Sequence, residues 1–449
     1  MAGKTRIVIL GGGFAGTSAA LGLERRFRGS SDVEITLLDT ENFFTFTPLL
    51  PEVPSGSIQP KHIVFPLRAL LRQTQVRQAE VQGIDLERQE ITARHCGKCG
   101  RYTLPYDHLV LALGGVSNFF GTPGVAENAL TMKSLSDATC LHAHIIDKLE
   151  HADLESDSAH RRELLTFVVA GGGFAGVETI AELNDFVRGA LTYYRSIKPA
   201  EFRVVLIQSG PRILPEVSES LSEYALQQLR KHGVEVLLQT RVASCTERTV
   251  HLSNGDELPC HTFVWAAGVA PSPIIQQVDL PRTANGKIEV NSTLNVKDRS
   301  SLWALGDSAA IPDLETGKLC PPTAQYALRQ GSVLGENIAN AIQGKPLREF
   351  KHKSLGLLAG LGRRCAIAEV FGFKFSGFFA WWLWRTVYLM KLPGLERKVR
   401  VALDWTLDLF FPRDIVFLRP LHSIQGGENV EPVETEQCNI ELPAALIAK

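Results

Sequence analysis

Short runs of β-branched and aliphatic residues, each ending at glycine and followed by apolar positions at helical spacing, set the rhythm of this 449-residue chain. Arg6-Ile7-Val8-Ile9-Leu10 leads into Gly11–Gly16, which reads GGGFAG, and Thr166-Phe167-Val168-Val169-Ala170 leads into Gly171–Gly176, which reads GGGFAG again. Continuous apolar runs of this length predict strands buried on both faces, as in a parallel sheet. The spacing after the first loop predicts a helix from Thr17 to about Phe27, and the second loop leads into another. Similar runs predict strands at Val33–Leu38, Tyr106–Leu113, Phe202–Ile207, Val264–Trp265 and Trp303–Leu305. Strands alternating with helices in this way predict an α/β fold.

Strand, tight turn and helix form the layout in which glycines let backbone N–H groups approach a pyrophosphate at a helix N-terminus. One GxGxxG is a weak signal. Two copies, each correctly flanked, predict two dinucleotide sites with electrons passing between them. Gly11, Gly13 and Gly16, with Phe14 and Ala15 among them, are the candidate contacts of the first site; Gly171, Gly173 and Gly176 are those of the second. The strand Val33–Leu38 ends in Asp39. An acid there, roughly 20 residues past the glycines, is placed to accept hydrogen bonds from an adenosine ribose; a turn or helix cap is the bland alternative. The matching position after the second loop is Gln208. A carboxylate would repel the 2′-phosphate of NADPH, whereas a neutral amide bonds either form, so NADH and NADPH both stay open.

Two more glycines close strands, Gly114 after the Tyr106–Leu113 run and Gly268 after Val264-Trp265-Ala266-Ala267. Gly306-Asp307 follows the strand at Trp303. A Gly-Asp pair alone is most often a turn. Here, with the glycine loop upstream, it resembles the second FAD signature of two-dinucleotide-binding flavoproteins, in which the Asp holds the ribityl chain. The second glycine loop lies between the two halves of that pattern. Two Rossmann-like domains follow, one inserted into the other. The FAD-binding domain has an N-terminal segment (1–123) and a later segment (281–345), and the NAD(P)-binding domain (124–280) lies between them. A C-terminal region (346–425) and an acidic tail (426–449) complete the chain. The charged stretch Leu154–Glu163 reads as a solvated loop.

The length fits about three domains of ~150 residues, and 45% hydrophobic with 21% charged residues is a globular composition. A net charge of −1 argues against nucleic acid as a partner. The eight cysteines are scattered and suggest no disulfide framework, hence a reducing compartment. Cys96-Gly97-Lys98-Cys99 has only His95 beside it and reads as a turn, and His142 and His144 lack a third ligand and read as surface residues, so no metal is expected. The first strand begins by about Arg6, leaving no room for a leader, and no uncharged run reaches the ~18–20 residues of a membrane span, so the chain is expected to start in the cytosol.

Disulfide reductases of similar layout carry a redox cysteine pair just after the FAD ribose acid; the stretch Thr40–Leu50 has none. Instead Asn42–Leu50, Ala170–Glu178 and Pro322–Gly331 resemble type II NADH:quinone oxidoreductases, and the likeness runs from the first strand to about Arg419. Phe44 and Pro51 depart from it, standing where His and Tyr are frequent. The resemblance implies that Glu178 lies near the nicotinamide and flavin and that Ala324-Gln325 borders a quinone pocket. It also implies a homodimer of the respiratory chain; with no membrane-spanning run the chain is not expected to pump protons. On the residues alone, Glu178 has the alternative role of helix-dipole partner. Gln325 can donate through its amide, or be merely exposed.

Past Phe350 the composition changes. Four of the six tryptophans lie between 381 and 405, and Gly377–Arg419 holds seven Lys or Arg against four Asp or Glu. In a helix from about Arg397, Val399, Leu403, Leu407 and Phe410 share one face; Arg397, Arg400, Asp404 and Asp408 share another. An amphipathic segment with tryptophans and basic residues suits a membrane surface on the cytoplasmic side, although a packed dimer or core helix has the same pattern. The leading expectation is hydride transfer from NAD(P)H to FAD and two electrons onward to a membrane quinone. A sulfide:quinone oxidoreductase and a redox-sensing flavoprotein with little turnover are the rivals.

Overall fold

The computed structural model describes residues 4–96, 100–362 and 364–416. The chain begins with β1 (Thr5–Leu10), β2 (Val33–Asp39), β3 (Gln75–Asp85), β4 (Glu90–His95), β5 (Arg101–Pro105) and β6 (His108–Leu111). It then builds a second sheet from β7 (Leu130–Thr131), β8 (Thr166–Ala170), β9 (Arg203–Ile207), β10 (Val234–Leu237) and β11 (Thr262–Trp265), all parallel, in the order β7-β11-β8-β9-β10. It returns to the first sheet with β12 (Leu302–Ala304), giving β12-β6-β1-β2-β3-β4-β5. The strands β12, β6, β1, β2 and β3 are parallel, and β4 and β5 extend the sheet as an antiparallel meander. One α/β sheet is thus threaded through another. Where the chain crosses, Gly115–Ser117 pairs antiparallel with Val269–Pro271, directly after Gly114 and Gly268.

The two glycine loops leave their sheets at equivalent points. Leu10 pairs with Leu38 and Leu111; Ala170 pairs with Ile207 and Trp265. The helices that follow are α1 (Phe14–Arg26) and, after α2 (Leu135–Leu154) and α3 (Ser158–Leu164), α4 (Phe174–Ala190). Later in the chain comes α5 (Ala324–Ile342), which lies against α1 with glycines at the crossing and the Ser18 hydroxyl donating to the Leu328 carbonyl. A Cβ on Gly331 would stand 2.5 Å from the Ala15 carbonyl oxygen, and one on Gly335 would stand 3.0 Å from the Cα of Gly22.

The stretch expected as a solvated loop is mostly helix. Asp157 caps α3, its carboxylate accepting from Ala159 N at 3.0 Å, and the alternating charges of this stretch mask a sequence of good helix formers. His142 and His144 are not free surface groups either. His142 Nδ1 lies 2.9 Å from the Pro54 carbonyl oxygen, and His144 Nε2 lies 3.0 Å from Thr262 Oγ1. Burial pushes the His144 imidazole down to about 4. Of the Cys-x-x-Cys pair, Cys96 is exposed and Cys99 lies outside the described residues, as does the tail at 426–449.

The C-terminal region is a three-stranded antiparallel sheet, β13 (Gly356–Gly360), β14 (Ala366–Val370) and β15 (Phe373–Ser376), followed by α6 (Gly377–Lys391) and α7 (Leu395–Phe410). Helix α7 presents its faces the opposite way from an ordinary surface helix. Leu403, Leu407 and Phe410 are 56%, 53% and 77% exposed, while Asp404 and Asp408 turn inward to His62 and Arg413. Tryptophan usage also divides: Trp382 is exposed, whereas Trp384 and Trp405 are buried core residues. Among the described residues no helix is long and apolar enough to cross a membrane.

The glycine crossing yields a test. Gly331→Val forces a side chain into the Ala15 carbonyl, and overpacking of this kind costs about 1–3 kcal/mol. We expect a lowered thermal midpoint together with weakened flavin retention; an unchanged midpoint would mean that α1 and α5 separate freely.

Candidate active site

The first glycine loop is a strained turn held from both sides. Gly11 has φ +104°, its N–H donates to Leu38 O at 2.8 Å, and a Cβ there would meet Ala112 O at 2.2 Å. Gly171 repeats this with φ +116°, donating to Ile207 O at 2.9 Å. Only glycine accepts these backbone angles beside these neighbours. At the third glycine the helix presses on the loop: a Cβ on Gly16 would lie 1.9 Å from Gly11 O, and one on Gly176 would lie 1.8 Å from Gly171 O. The middle glycines differ. A Cβ on Gly13 or Gly173 would meet nothing within 4 Å, so each helix N-terminus opens onto a cradle that a side chain would fill.

The second-strand residues brace these loops. Asp39 Oδ2 accepts from Gly12 N at 2.5 Å, and Gln208 Oε1 accepts from Gly172 N at 2.9 Å, the same bond made by two chemistries. Burial raises the Asp39 carboxyl against the pull of its backbone donors. Gly11, Asp39 and Leu113 line a cleft of about 810 Å³, within the range of nucleotide-sized sites. Across the sheet, Gly306 has φ +69° and its N–H donates to Gln330 Oε1 at 3.0 Å, while Lys133 Nζ lies 3.4 Å from Asp307 Oδ2. Ser308 Oγ donates to Gly114 O at 3.0 Å, tying the Gly-Asp turn to the strand-closing glycine. Gly268 sits under the Phe120 ring.

Glu178 and Gln325 hold opposite ends of one strand. Glu178 Oε1 accepts from Gly360 N at 2.9 Å, at the end of β13. Gln325 Nε2 donates to Gly356 O at 3.3 Å and to Ser354 Oγ at 3.1 Å, at its start. Four steps of strand separate them by roughly 13 Å. The Gln325 amide is thus clasped to the strand and lies apart from the residues lining the Glu178 crevice. Ala324 opens α5 beside it. Glu178 lies past the first turn of α4, which carries no acid, so the helix-dipole role does not explain it. The crevice around it is walled by Pro48, Glu52, Glu182, Gly360, Trp384 and Arg385, among others. Burial pushes the Glu178 carboxyl up to about 8, opposed by the Gly360 N–H and the Trp384 indole, and reinforced by Glu52 and Glu182.

Residues 5–331 match the pyridine nucleotide-disulphide oxidoreductase family, and residues 354–414 match the NDH2 C-terminal domain. A probable NADH dehydrogenase of Dictyostelium discoideum is 32% identical over 91% of this chain and 90% of its own. A type II NADH:quinone oxidoreductase of Mycobacterium tuberculosis is 31% identical over 90% of this chain and 87% of its own. The chain belongs to the type II NADH:quinone oxidoreductases. In fold it also matches the structure of NDH2 from Plasmodium falciparum in complex with NADH, with a TM-score of 0.86 at 22% identity, covering 92% of this chain and all of that one.

FAD and NADH are the cofactors of this family, and the two glycine cradles fit two dinucleotides. The sulfide:quinone alternative is not favoured. Its chemistry needs flavin-proximal cysteines, and Cys365 is the one cysteine lining the Glu178 crevice among the described residues. Two residues beside the Gly-Asp turn are not singled out in the sequence. Lys133, which lies 3.4 Å from Asp307, belongs to no motif, and Gln330, although within the Pro322–Gly331 run, meets the Gly306 N–H only through the fold. His160, Glu163 and His261 also converge, their ligand atoms within 4.8 Å of one another. Arg248 Nη2 already pairs with Glu163 at 2.6 Å, which reads as an ion-pair cluster.

Gln208 supplies the second prediction. Gln208→Glu keeps an oxygen for the Gly172 N–H while adding a charge that repels a 2′-phosphate. The ratio of kcat/KM for NADH over NADPH should rise about tenfold, the equivalent of about 1.4 kcal/mol. An unmoved ratio would place the choice elsewhere.

Proposed function

We propose that this chain carries out NADH-to-quinone electron transfer while seated by its C-terminal helices on a membrane surface. FAD, when bound, accepts a hydride from NADH and gives two electrons onward. The chain supplies orientation and protons. Gly11, Gly13 and Gly16, with Phe14 and Ala15, would hold the FAD pyrophosphate at the N-terminus of α1. Asp39 would take the ribose, and Asp307, between Gly306 and Gly114, the ribityl chain. Gly171, Gly173 and Gly176 would hold NADH, with Gln208 at its adenosine ribose and Gly268 at the domain crossing. Ala324 and Gln325 would border the quinone, Gln325 by fixing β13.

A single observation supports the reading best. The Glu178 crevice is walled at once by α4 after the second glycine loop, by the turn around Pro48–Glu52 of the first domain, and by the C-terminal sheet and helix. A water in this space of about 20 Å³ meets the nicotinamide domain, the flavin domain and the apolar foot together. With its carboxyl raised to about 8, Glu178 carries a proton at neutral pH and can donate it to a quinone carbonyl. The acid form is lost as pH rises, so quinone reduction should fall through about pH 8. Glu178→Gln should remove that limb with flavin content unchanged. A wild-type profile flat across this range would take the proton-donor role away.

The membrane seat is supported by the outward ridge of α6 and α7. Phe378, Trp382, Leu395, Leu403, Leu407 and Phe410 form an exposed apolar face far beyond scattered surface residues. Lys391 and Arg400 are exposed on the same two helices, and each such cation adds about 1 kcal/mol of attraction to anionic lipid. Burying a large apolar side chain is worth about 1.5–3 kcal/mol. Phe378→Glu with Leu403→Glu should therefore weaken binding to anionic liposomes by at least about tenfold, while NADH still bleaches the flavin. If the double variant instead binds liposomes like the parent and a dimer dissociates in sedimentation, the ridge joins two copies of the chain and the membrane seat is wrong.

A further inference from the structure

Oxidation of NADH by a quinone obeys NADH + H⁺ + Q → NAD⁺ + QH₂. The hydride carries two electrons and one proton, and the quinone takes up two of each, so one proton per turnover enters from solvent. Glu52 is an acid that no nucleotide role accounts for. It ends the 3-10 turn Thr47–Glu52, is 5% exposed, and lines the same crevice as Glu178. Trp405, on the inner face of α7, donates its indole N–H to Glu52 Oε2 at 2.6 Å.

We propose that Glu52 is the acid through which this proton reaches the site: it exchanges a proton with Glu178 across the shared crevice, and Trp405 tunes its affinity from the C-terminal helix. The proposal rests on Glu178 serving quinone reduction, and it adds a route to that residue. The groups facing Glu52 are Glu178 and Glu182 from α4, Arg385 from α6, Trp405 from α7, and Arg413 beyond it. Burial and Glu182 hold the Glu52 carboxyl above the usual range, while Arg385, Trp405 and Arg413 pull it back.

Beside Glu52 the turn is pinned to α4 by buried polar contacts. Ser55 Oγ lies 3.0 Å from the Glu52 carbonyl oxygen and 2.8 Å from Glu182 Oε2, and Arg413 Nη1 lies 3.1 Å from that same carboxylate oxygen. Glu182 and Arg385 line both the crevice and an adjoining cavity of about 260 Å³, which Asp408 and Arg413 border beside exposed Phe411. The cavity therefore links the buried acids to the outer end of α7.

The test uses the full-chain holoenzyme, with flavin content and circular dichroism checked first. Glu52→Gln should slow the quinone half-reaction by about a hundredfold, the low end of a general-acid contribution, with the NADH half-reaction less affected. Glu52→Asp should recover part of the rate. In infrared spectra, Glu52→Gln should remove a protonated-carboxyl band that the wild type shows at about pH 7. Trp405→Phe keeps the packing but removes a donor that favours the ionised form, so the acid should hold its proton to higher pH. The pH at which the Glu52 carboxyl band disappears should then move up by about one unit. A Glu52→Gln enzyme with the wild-type rate, profile and carboxyl band overturns the proposal while Glu178→Gln is still slow. If Glu178→Gln is also as fast as wild type, the reading of Glu178 fails as well. Should Glu52→Gln not fold, carboxyl bands that titrate in Trp405→Phe as in the wild type count against the proposal alone.

Discussion

The contact between α1 and α5 is the constraint on which the rest of the molecule hangs. Helix α1 carries the first glycine loop, and α5 carries Gln330 and begins at Ala324-Gln325. At Gly22, Gly331 and Gly335 the backbones approach as closely as side-chain-free residues permit. That approach brings Gln330 within reach of the Gly306 N–H, and so sets the Gly-Asp turn opposite the GGGFAG turn. The two segments are about 300 residues apart in sequence, and their register decides whether one cofactor can touch both. Small residues give that register because dispersion falls steeply with distance, so any Cβ would push the helices out of contact.

A second constraint ties the C-terminal helices to the same loop. Phe14 of the glycine turn packs edge-on to Phe44 at 4.8 Å, Phe46 meets Tyr388 at 6.2 Å, and Tyr388 meets Trp384 at 4.9 Å. Trp384 in turn lies 6.0 Å from Trp405, and Arg385 sits over the Trp405 ring at 4.8 Å. An aromatic series thus runs from the first dinucleotide turn to α7. Rings are large and stiff, so they fix the apolar outer face relative to the cradle at small entropic cost. The outward ridge and the inward acids of α7 are two results of one packing arrangement.

Much of this is legible in the residues. The repeated GGGFAG, the Gln208 that replaces an acid, and the strands around them follow from period and turn chemistry that act within a few residues. The insertion of one sheet into the other follows from where the second loop falls between Gly11 and Gly306. What stays hidden depends on long-range partners. Trp384 and Trp382 look alike in sequence, yet one is core and the other exposed, because only the fold decides which face of α6 meets α7. Leu154–Glu163 looks like a loop because charge density conceals helix propensity. Gln325 reads as a free donor, yet its amide is spent on Ser354 and Gly356, partners at a strand whose register no local pattern reveals.

The inverted α7 makes physical sense only when charge and apolar surface are considered together. Asp404 and Asp408 would prefer water, and in the fold each meets a partner instead: His62 for the first and Arg413 for the second. Those partners compensate the desolvation of the acids, which frees the opposite face of the helix to stay apolar and exposed. Were the acids to face outward, Arg413 would lose its Asp408 partner. Arg413 also pairs with Glu182, one of the acids beside Glu178. The pairing that turns the apolar face outward therefore also places a cation beside the acids of the crevice, so the exposed ridge and the charge of the crevice belong to a single electrostatic arrangement.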